Sequence, residues 1–222
     1  MNNVSLIKVM QAIDPLFPIG AFTLSNGMET YVQRGIVSDR ESLLRFLKAY
    51  VYTLPTGDLG FAAKAAKGED YALLDELFSA SKSPLELRSG SEKLCRRFIK
   101  SEALLNSCPL LEEYSERIAA GVLAGSHPVA MGLFIRDIGA NLTESLEMYC
   151  YSLLSASVNH AVKLVPLRQS DGQSALSEMI DGIPETVQKA LNVSLYDLGI
   201  GGSGFDLRSM EHEALPARLY IS

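Results

Sequence analysis

The residues of this 222-residue chain whose types could carry chemistry are three histidines, three cysteines and one run of glycines. Glu211-His212-Glu213 offers two carboxylates and an imidazole, donors that hold nickel or zinc. Three adjacent residues do not readily face one ion, and no further ligand lies near them in sequence. The trio therefore reads as a surface charge cluster. His127, His160 and His212 are far apart, none sits in H-E-x-x-H, and there is no G-x-S-x-G elbow. His160 reads as a satisfied core histidine, and His127, before Pro128, as a helix-start residue. Cys95, Cys108 and Cys150 form no C-x-x-C, so neither a disulfide framework nor structural zinc is expected, and a reducing cytoplasm fits best.

Gly199, Gly201 and Gly204 match G-x-G-x-x-G literally. A dinucleotide fingerprint also needs a preceding strand and an acidic residue about 20 positions on. Only 18 residues follow Gly204. A G-x-x-x-x-G-K-[ST] loop is absent, so ATP or GTP binding by that route is not expected. The residues thus give no catalytic constellation, no metal site and no tightly bound cofactor.

The elements that must position these residues read as helices. Ser38-Asp39-Arg40-Glu41 forms a capping box for a helix running to Leu54, and Gly35 ends the helix before it. Ser83-Pro84-Leu85-Glu86 opens another helix with Pro84 at its first position, carrying Leu87, Leu94, Phe98 and Leu105 on one face. Asn141-Leu142-Thr143-Glu144 opens a third, reaching about Lys163. From Tyr149 to Val162 it carries no full charge, His160 aside, which places it at a bundle centre, touched on every side. Its Ser152, Ser155, Ala156 and Ser157 would let neighbours approach closely. The expected fold is all-α: a single-domain bundle of roughly eight to ten helices around a central buried helix, spanning residues 1–195. Residues 196–222 read as a tail hinged on four glycines within six residues, followed by an apolar-bearing segment suited to a partner.

Composition narrows the function classes. Hydrophobic residues make up 47% and charged ones 21%, enough for a globular core. The net charge is −6 and no basic stripe exists, so nucleic acid is a poor partner. Residues 118–135 lack Asp, Glu, Lys and Arg, but Ser126-His127-Pro128 at the centre favours two buried helices and a tight turn over a membrane span. Met1-Asn2-Asn3-Val4-Ser5 lacks the basic region of a signal peptide.

Two stretches are shaped rather than reactive. Asp14-Pro15-Leu16-Phe17-Pro18-Ile19-Gly20-Ala21-Phe22 sets prolines and a glycine among exposed-looking aromatics, and specifies a rigid docking turn. Leu164-Val165-Pro166-Leu167 ends the long helix, and Asp171-Gly172 favours a turn between Gln169 and Gln173.

With His127-Pro128-Val129-Ala130 and Gly132, and with Met210, His212-Glu213 and Arg218-Leu219, these stretches resemble the UreF family of urease accessory proteins. Ser25, Gly27 and Glu29 extend the first match, and the matches run in order from near residue 10 to the C-terminus. The resemblance implies an all-α, non-catalytic scaffold that binds UreD (UreH in some organisms) and recruits the GTPase UreG. The assembly would deliver nickel to apo-urease, driven by GTP hydrolysis in UreG. It also implies a homodimer and a C-terminal segment that orders on binding UreD.

On the same grounds Phe17, Pro18, Gly20, Phe22 and Glu29, with Met210, Glu211, His212, Glu213, Arg218, Leu219 and Tyr220, are candidate partner contacts. Gly27, His127, Pro128, Pro166, Gln169 and Gln173 are structural motif positions. The chain departs from the family at Leu24 and Ser126, where histidine is frequent, at Arg168, where glycine is common, and at Leu215-Pro216. Two other roles stand beside the scaffold: a direct nickel carrier, which would need clustered Cys and His, and a regulator of the partner's GTPase activity. An enzyme would need a nucleophile–base pair or a phosphate loop.

Overall fold

The computed structural model describes residues 3–220. The first two residues of the N-terminal stretch and the last two of the tail lie outside it. Among the described residues the regular structure is helical: α1 (Asn3–Ala12), α2 (Met28–Gln33), α3 (Arg40–Thr53), α4 (Asp58–Lys67), α5 (Tyr71–Ser81), α6 (Leu85–Glu102), α7 (Pro109–Ala119), α8 (His127–Asp137), α9 (Leu142–Leu164), α10 (Gln169–Ile180), α11 (Ile183–Asn192) and α12 (Ser203–His212). Short 3-10 turns lie at Ala21–Thr23 and Leu195–Asp197. Twelve α-helices exceed the eight to ten expected because short pieces such as the six-residue α2 carry too few apolar positions to show a period.

The caps follow the local chemistry. Asn141 accepts from the Glu144 N–H, and Gly35 follows α2 with φ +68°. The box before α3 is shifted by one residue: Asp39 is the cap, accepting from the Ser42 N–H at 2.8 Å, while Ser42 Oγ accepts from the Asp39 N–H at 3.0 Å. Asp caps as well as Ser does, and Ser42 does the work expected of Glu41. Pro84 is the cap of α6 rather than its first residue, and Leu105 lies past the helix end, half exposed, so it is not on the buried face with Phe98.

The most enclosed helix is α8, where every residue from Pro128 to Ile135 is buried. It crosses α4 through small residues, with Gly132 facing Ala62 and Ala65. The long helix α9 packs against α1, α2, α3, α4, α8, α10 and α11. It is not covered on every side, however: Tyr151 and Asn159 are exposed along one strip. No helix among the described residues is long and apolar enough to cross a membrane, and residues 118–135 divide between α7, a turn and α8.

That turn has an organiser the sequence did not reveal. Buried Asp75 on α5 accepts from the Tyr114 hydroxyl, from the Ala124 N–H at 2.9 Å and from the Gly125 N–H at 3.2 Å. Tyr114 Oη in turn accepts from the Ser126 N–H. One carboxylate therefore fixes the approach to His127-Pro128.

The glycine stretch has a defined path in this structure. The Gly199 N–H donates to the Thr56 carbonyl at 2.7 Å, and Gly199, Gly201 and Gly202 have φ of +78°, +98° and +87°. Beyond it α12 inserts Phe205 among Tyr31, Phe46 and Tyr50, with ring centroids 5.4–5.8 Å away. The tail is thus packed against the bundle in this structure.

The α4–α8 crossing yields a stability test. Alanine exceeds glycine in helix propensity by about 1 kcal/mol. A methyl on Gly132 would stand 2.7 Å from the Ala65 Cβ and collide with the Ala62 carbonyl, both on a helix that cannot yield locally. Overpacking outweighs propensity, so Gly132→Ala is expected to lower the unfolding free energy by roughly 1–2 kcal/mol net, read from urea denaturation.

Candidate functional site

The N-terminal turn between α1 and α2 is built as the sequence implies. Asp14 Oδ1 accepts from the Leu16 N–H, and the Phe17 N–H donates back to the Asp14 carbonyl at 2.8 Å. The aromatics divide. Phe17 is buried against Phe98, with centroids 6.0 Å apart, whereas Phe22 is 64% exposed and Leu16 91%. Of the five turn residues picked as a shaped surface, Pro18 and Phe22 face outward, Gly20 is partly covered, and Phe17 and Glu29 face inward. Gly20 has φ +76°, and Arg97 reaches over it to donate to the Ile19 carbonyl at 3.1 Å.

Glu29, on the first turn of α2, is only 4% exposed. A carboxylate so placed must find donors. It finds them almost 200 positions away in the chain. Its Oε1 accepts from the Leu219 N–H at 2.8 Å, and its Oε2 accepts from the Tyr220 N–H at 3.1 Å. His212 Nε2 lies 3.2 Å from the same Oε2. The other ring nitrogen, Nδ1, lies 2.6 Å from Glu86 Oε2 on α6, and Arg218 donates to Glu86 Oε1 at 2.6 Å. Gln33 adds a bond to the Ala217 carbonyl, and the Tyr220 ring packs edge-on to His160 at 5.0 Å.

Glu29, Glu86, His212 and Arg218 thus form a clasp between the N-terminal turn, α6 and the tail. Gly27 makes room for it: with φ +80°, it has space for a Cβ only if Ser209 of α12, 2.7 Å away, gives way.

Burial desolvates Glu29 and pushes its carboxyl up, but the Leu219 N–H, the His212 ring and the Tyr220 N–H together outweigh that and hold it below its ordinary value. The neighbouring Glu211 is turned away from the clasp. It pairs with Arg208 and with Arg34 at 2.7 Å, and the Arg208 hydrogen bond keeps its carboxyl low. Glu213 is exposed, so the three residues of Glu211-His212-Glu213 face three directions. Among the described residues no group of three or more His, Cys, Asp or Glu side chains could hold a metal ion. Met210 and Leu219 present apolar surface beside the clasp.

The remaining motif positions sit elsewhere. The His127 ring is enclosed and its Nδ1 lies 3.3 Å from the Tyr149 hydroxyl. Burial pushes this histidine down to about 4. It borders a cavity of about 150 Å³ that also meets Asp58, Lys82 and Asp206. Pro166 is exposed in the corner between α9 and α10, and Gln169 and Gln173 are exposed on the first turns of α10, so Asp171-Gly172 is helical and not a turn; Asp171 accepts from the Arg168 N–H and guanidinium.

Next to the N-terminal turn, the open strip of α9 floors an apolar groove of about 870 Å³, walled by Met10, Ile13, Phe22, Met148, Tyr151 and Ile183. The sequence does not reveal this groove, although its half-buried floor residues Ser152 and Ser155 are among the small residues that let neighbours approach closely.

Fold and site define an all-helical protein whose two distinctive termini meet on one surface beside an apolar groove. The sequence pattern of the UreF family matches residues 37–180. The urease accessory protein UreF of Actinobacillus pleuropneumoniae serotype 5b (strain L20) is 35% identical over 221 residues, covering 96% of this chain and 97% of that protein. UreF of Arthrobacter sp. (strain FB24) is 32% identical over 217 residues, covering 97% and 96%. UreF of Paenarthrobacter aurescens (strain TC1) is 30% identical over the full length of both chains. The chain belongs to the UreF family of urease accessory proteins.

Two outcomes follow from the clasp and the turn. Gly20→Ala forces a Cβ-bearing residue into the left-handed region, so it is expected to destabilise by roughly 1 kcal/mol, seen as a lower Tm. For Glu29 the folded carboxyl is lower than its ordinary 4.5. Its contribution to tail docking is therefore complete above that value and lost as pH falls through the lowered one. Hydrogen exchange at the Leu219 and Tyr220 amides, corrected for intrinsic rates, should stay slow at pH 6 and lose protection towards pH 3.

Proposed function

We propose that this chain is a cytoplasmic, non-catalytic scaffold of urease maturation. It binds UreD (UreH in some organisms) and recruits the GTPase UreG, so that the assembly inserts nickel into apo-urease at the expense of GTP. The chain holds no nickel tightly itself; the ion is cargo of the assembly. Two copies of the chain work together. The observation that carries this reading is the clasp. It ties residues 212–220 to the N-terminal turn, and Phe22, Met210 and Leu219 are exposed on these two segments, apolar side chains that a protein partner can meet around an ordered polar centre. Partner binding would shift the tail's population towards the docked state, since a ligand favours whichever state it contacts.

The test is a pull-down with co-expressed UreD and UreG. Full-length chain is compared with a chain ending at Ser203, with Arg218→Ala and with Phe22→Asp. Full-length chain should capture both partners, and loss of the tail should abolish capture. Arg218→Ala, which removes one ion pair of the clasp, should weaken capture by about tenfold. Phe22→Asp should weaken it without disturbing the fold, as judged by circular dichroism. Undiminished capture by the truncated chain would assign docking to the turn and groove alone. Capture of neither partner by the full-length chain would overturn the scaffold reading.

A further inference from the structure

We infer that the C-terminal segment docks only by taking up a proton, carried as the imidazolium of His212, so that the clasp is a proton-sensitive latch. The argument is a count of donors and acceptors. His212 is fully buried, and each of its two ring nitrogens faces a carboxylate oxygen: Nδ1 at 2.6 Å from Glu86 and Nε2 at 3.2 Å from Glu29. A neutral imidazole carries one N–H and one lone pair. It can donate to one of these carboxylates, but its lone pair then faces the other. Only the imidazolium donates to both.

Moving the proton to a carboxyl group does not relieve the conflict. Glu29 already accepts two backbone N–H groups, an arrangement that favours its ionised form, so the ring is the better holder of the proton. Glu86 accepts from Arg218. Charge agrees with the count. With imidazolium, two carboxylates face two cations. With neutral imidazole, one negative charge is left uncompensated at a buried site, which is strongly unfavourable.

The surrounding groups do not supply the missing proton. On α12, Arg208 is engaged with Glu211, which also pairs with Arg34 at the end of α2. Tyr31 of α2 is pushed up by burial and stays neutral. On α9, His160 meets Tyr220, and burial, with Lys163 beside it, pushes His160 down to about 4, so it stays neutral near pH 7. Tyr220 is itself pushed up by burial.

In the released tail His212 is solvated, and a solvated histidine gives up its proton near pH 6.5. Above that pH, docking must bind a proton that the released state lacks, so the docking equilibrium falls by up to tenfold per pH unit. This latch concerns the same tail as the scaffold reading but stands without it, because it requires no partner.

The test uses the full chain alone. Hydrogen exchange at the amides of residues 203–220, corrected for intrinsic rates, is measured from pH 6.5 to pH 8.5 against amides of α8 as reference. Protection of the tail should fall up to tenfold per pH unit while α8 stays unchanged. In Glu86→Gln the amide can donate to a neutral ring, so protection should become nearly independent of pH. In parallel, ring ¹⁵N shifts of His212 at pH 6.5 should show the charged pattern, with both nitrogens protonated. Tail protection that is level across this range in the unaltered chain overturns the inference. So does a neutral-tautomer ¹⁵N pattern in the protected state, and so does a tail unprotected at every pH. Partner capture is read separately by the pull-down.

Discussion

The buried carboxylate of Glu29 is the constraint on which the arrangement of both termini depends. A carboxylate removed from water is tolerated only when charge and hydrogen bonds replace its hydration. Helix α2 supplies neither: it has six residues and ends in a glycine turn. A helix that short has no stability of its own, and it holds its shape through packing on α9 and α12. The donors come from the far end of the chain as two consecutive backbone N–H groups and a histidine. The N-terminal turn is therefore complete only when the tail is in place. Gly27 and Gly199 serve that closure by letting backbone approach where a side chain would meet Ser209 or Ser81.

Much of the fold was legible because it is written in local chemistry. Asn141 opens α9, Gly35 closes α2, and Leu54 precedes a proline that stops α3, each by a mechanism confined to a few residues. The misread details are of the same local kind. Asp39 displaced Ser38 as a cap because both offer an oxygen at the right place. Leu105 continued the apolar period past the true end of α6, which no strong breaker marks. The family too was legible, since its motifs lie in order along the chain.

What resisted was everything that joins distant residues. Glu29 and His212 were each singled out, but nothing in a linear pattern says that one satisfies the other across 183 positions. Asp75 carries no signal in the sequence, because a lone aspartate in a helix looks like a solvated charge until the Ala124 and Gly125 amides are seen around it. The uncharged run of α9 implies enclosure on every side. Part of it faces an open groove, for an apolar face awaiting a partner has the same composition as one already buried. The glycines near residue 200 signal conformational freedom, but not which path they take: three of them have left-handed φ here.

The distance between the clasp's halves also has a meaning in time. Glu29 and Tyr220 are 191 residues apart. A ribosome adding 5–20 residues per second needs roughly 10–40 s to make the intervening chain. Throughout that interval the N-terminal turn exists without the groups that neutralise its inward-facing acid. The body must fold around an unfinished seam and wait for residues 212–220 to close it. The newborn protein thus passes through a nearly native, open-ended form on every round of synthesis, before any partner is met.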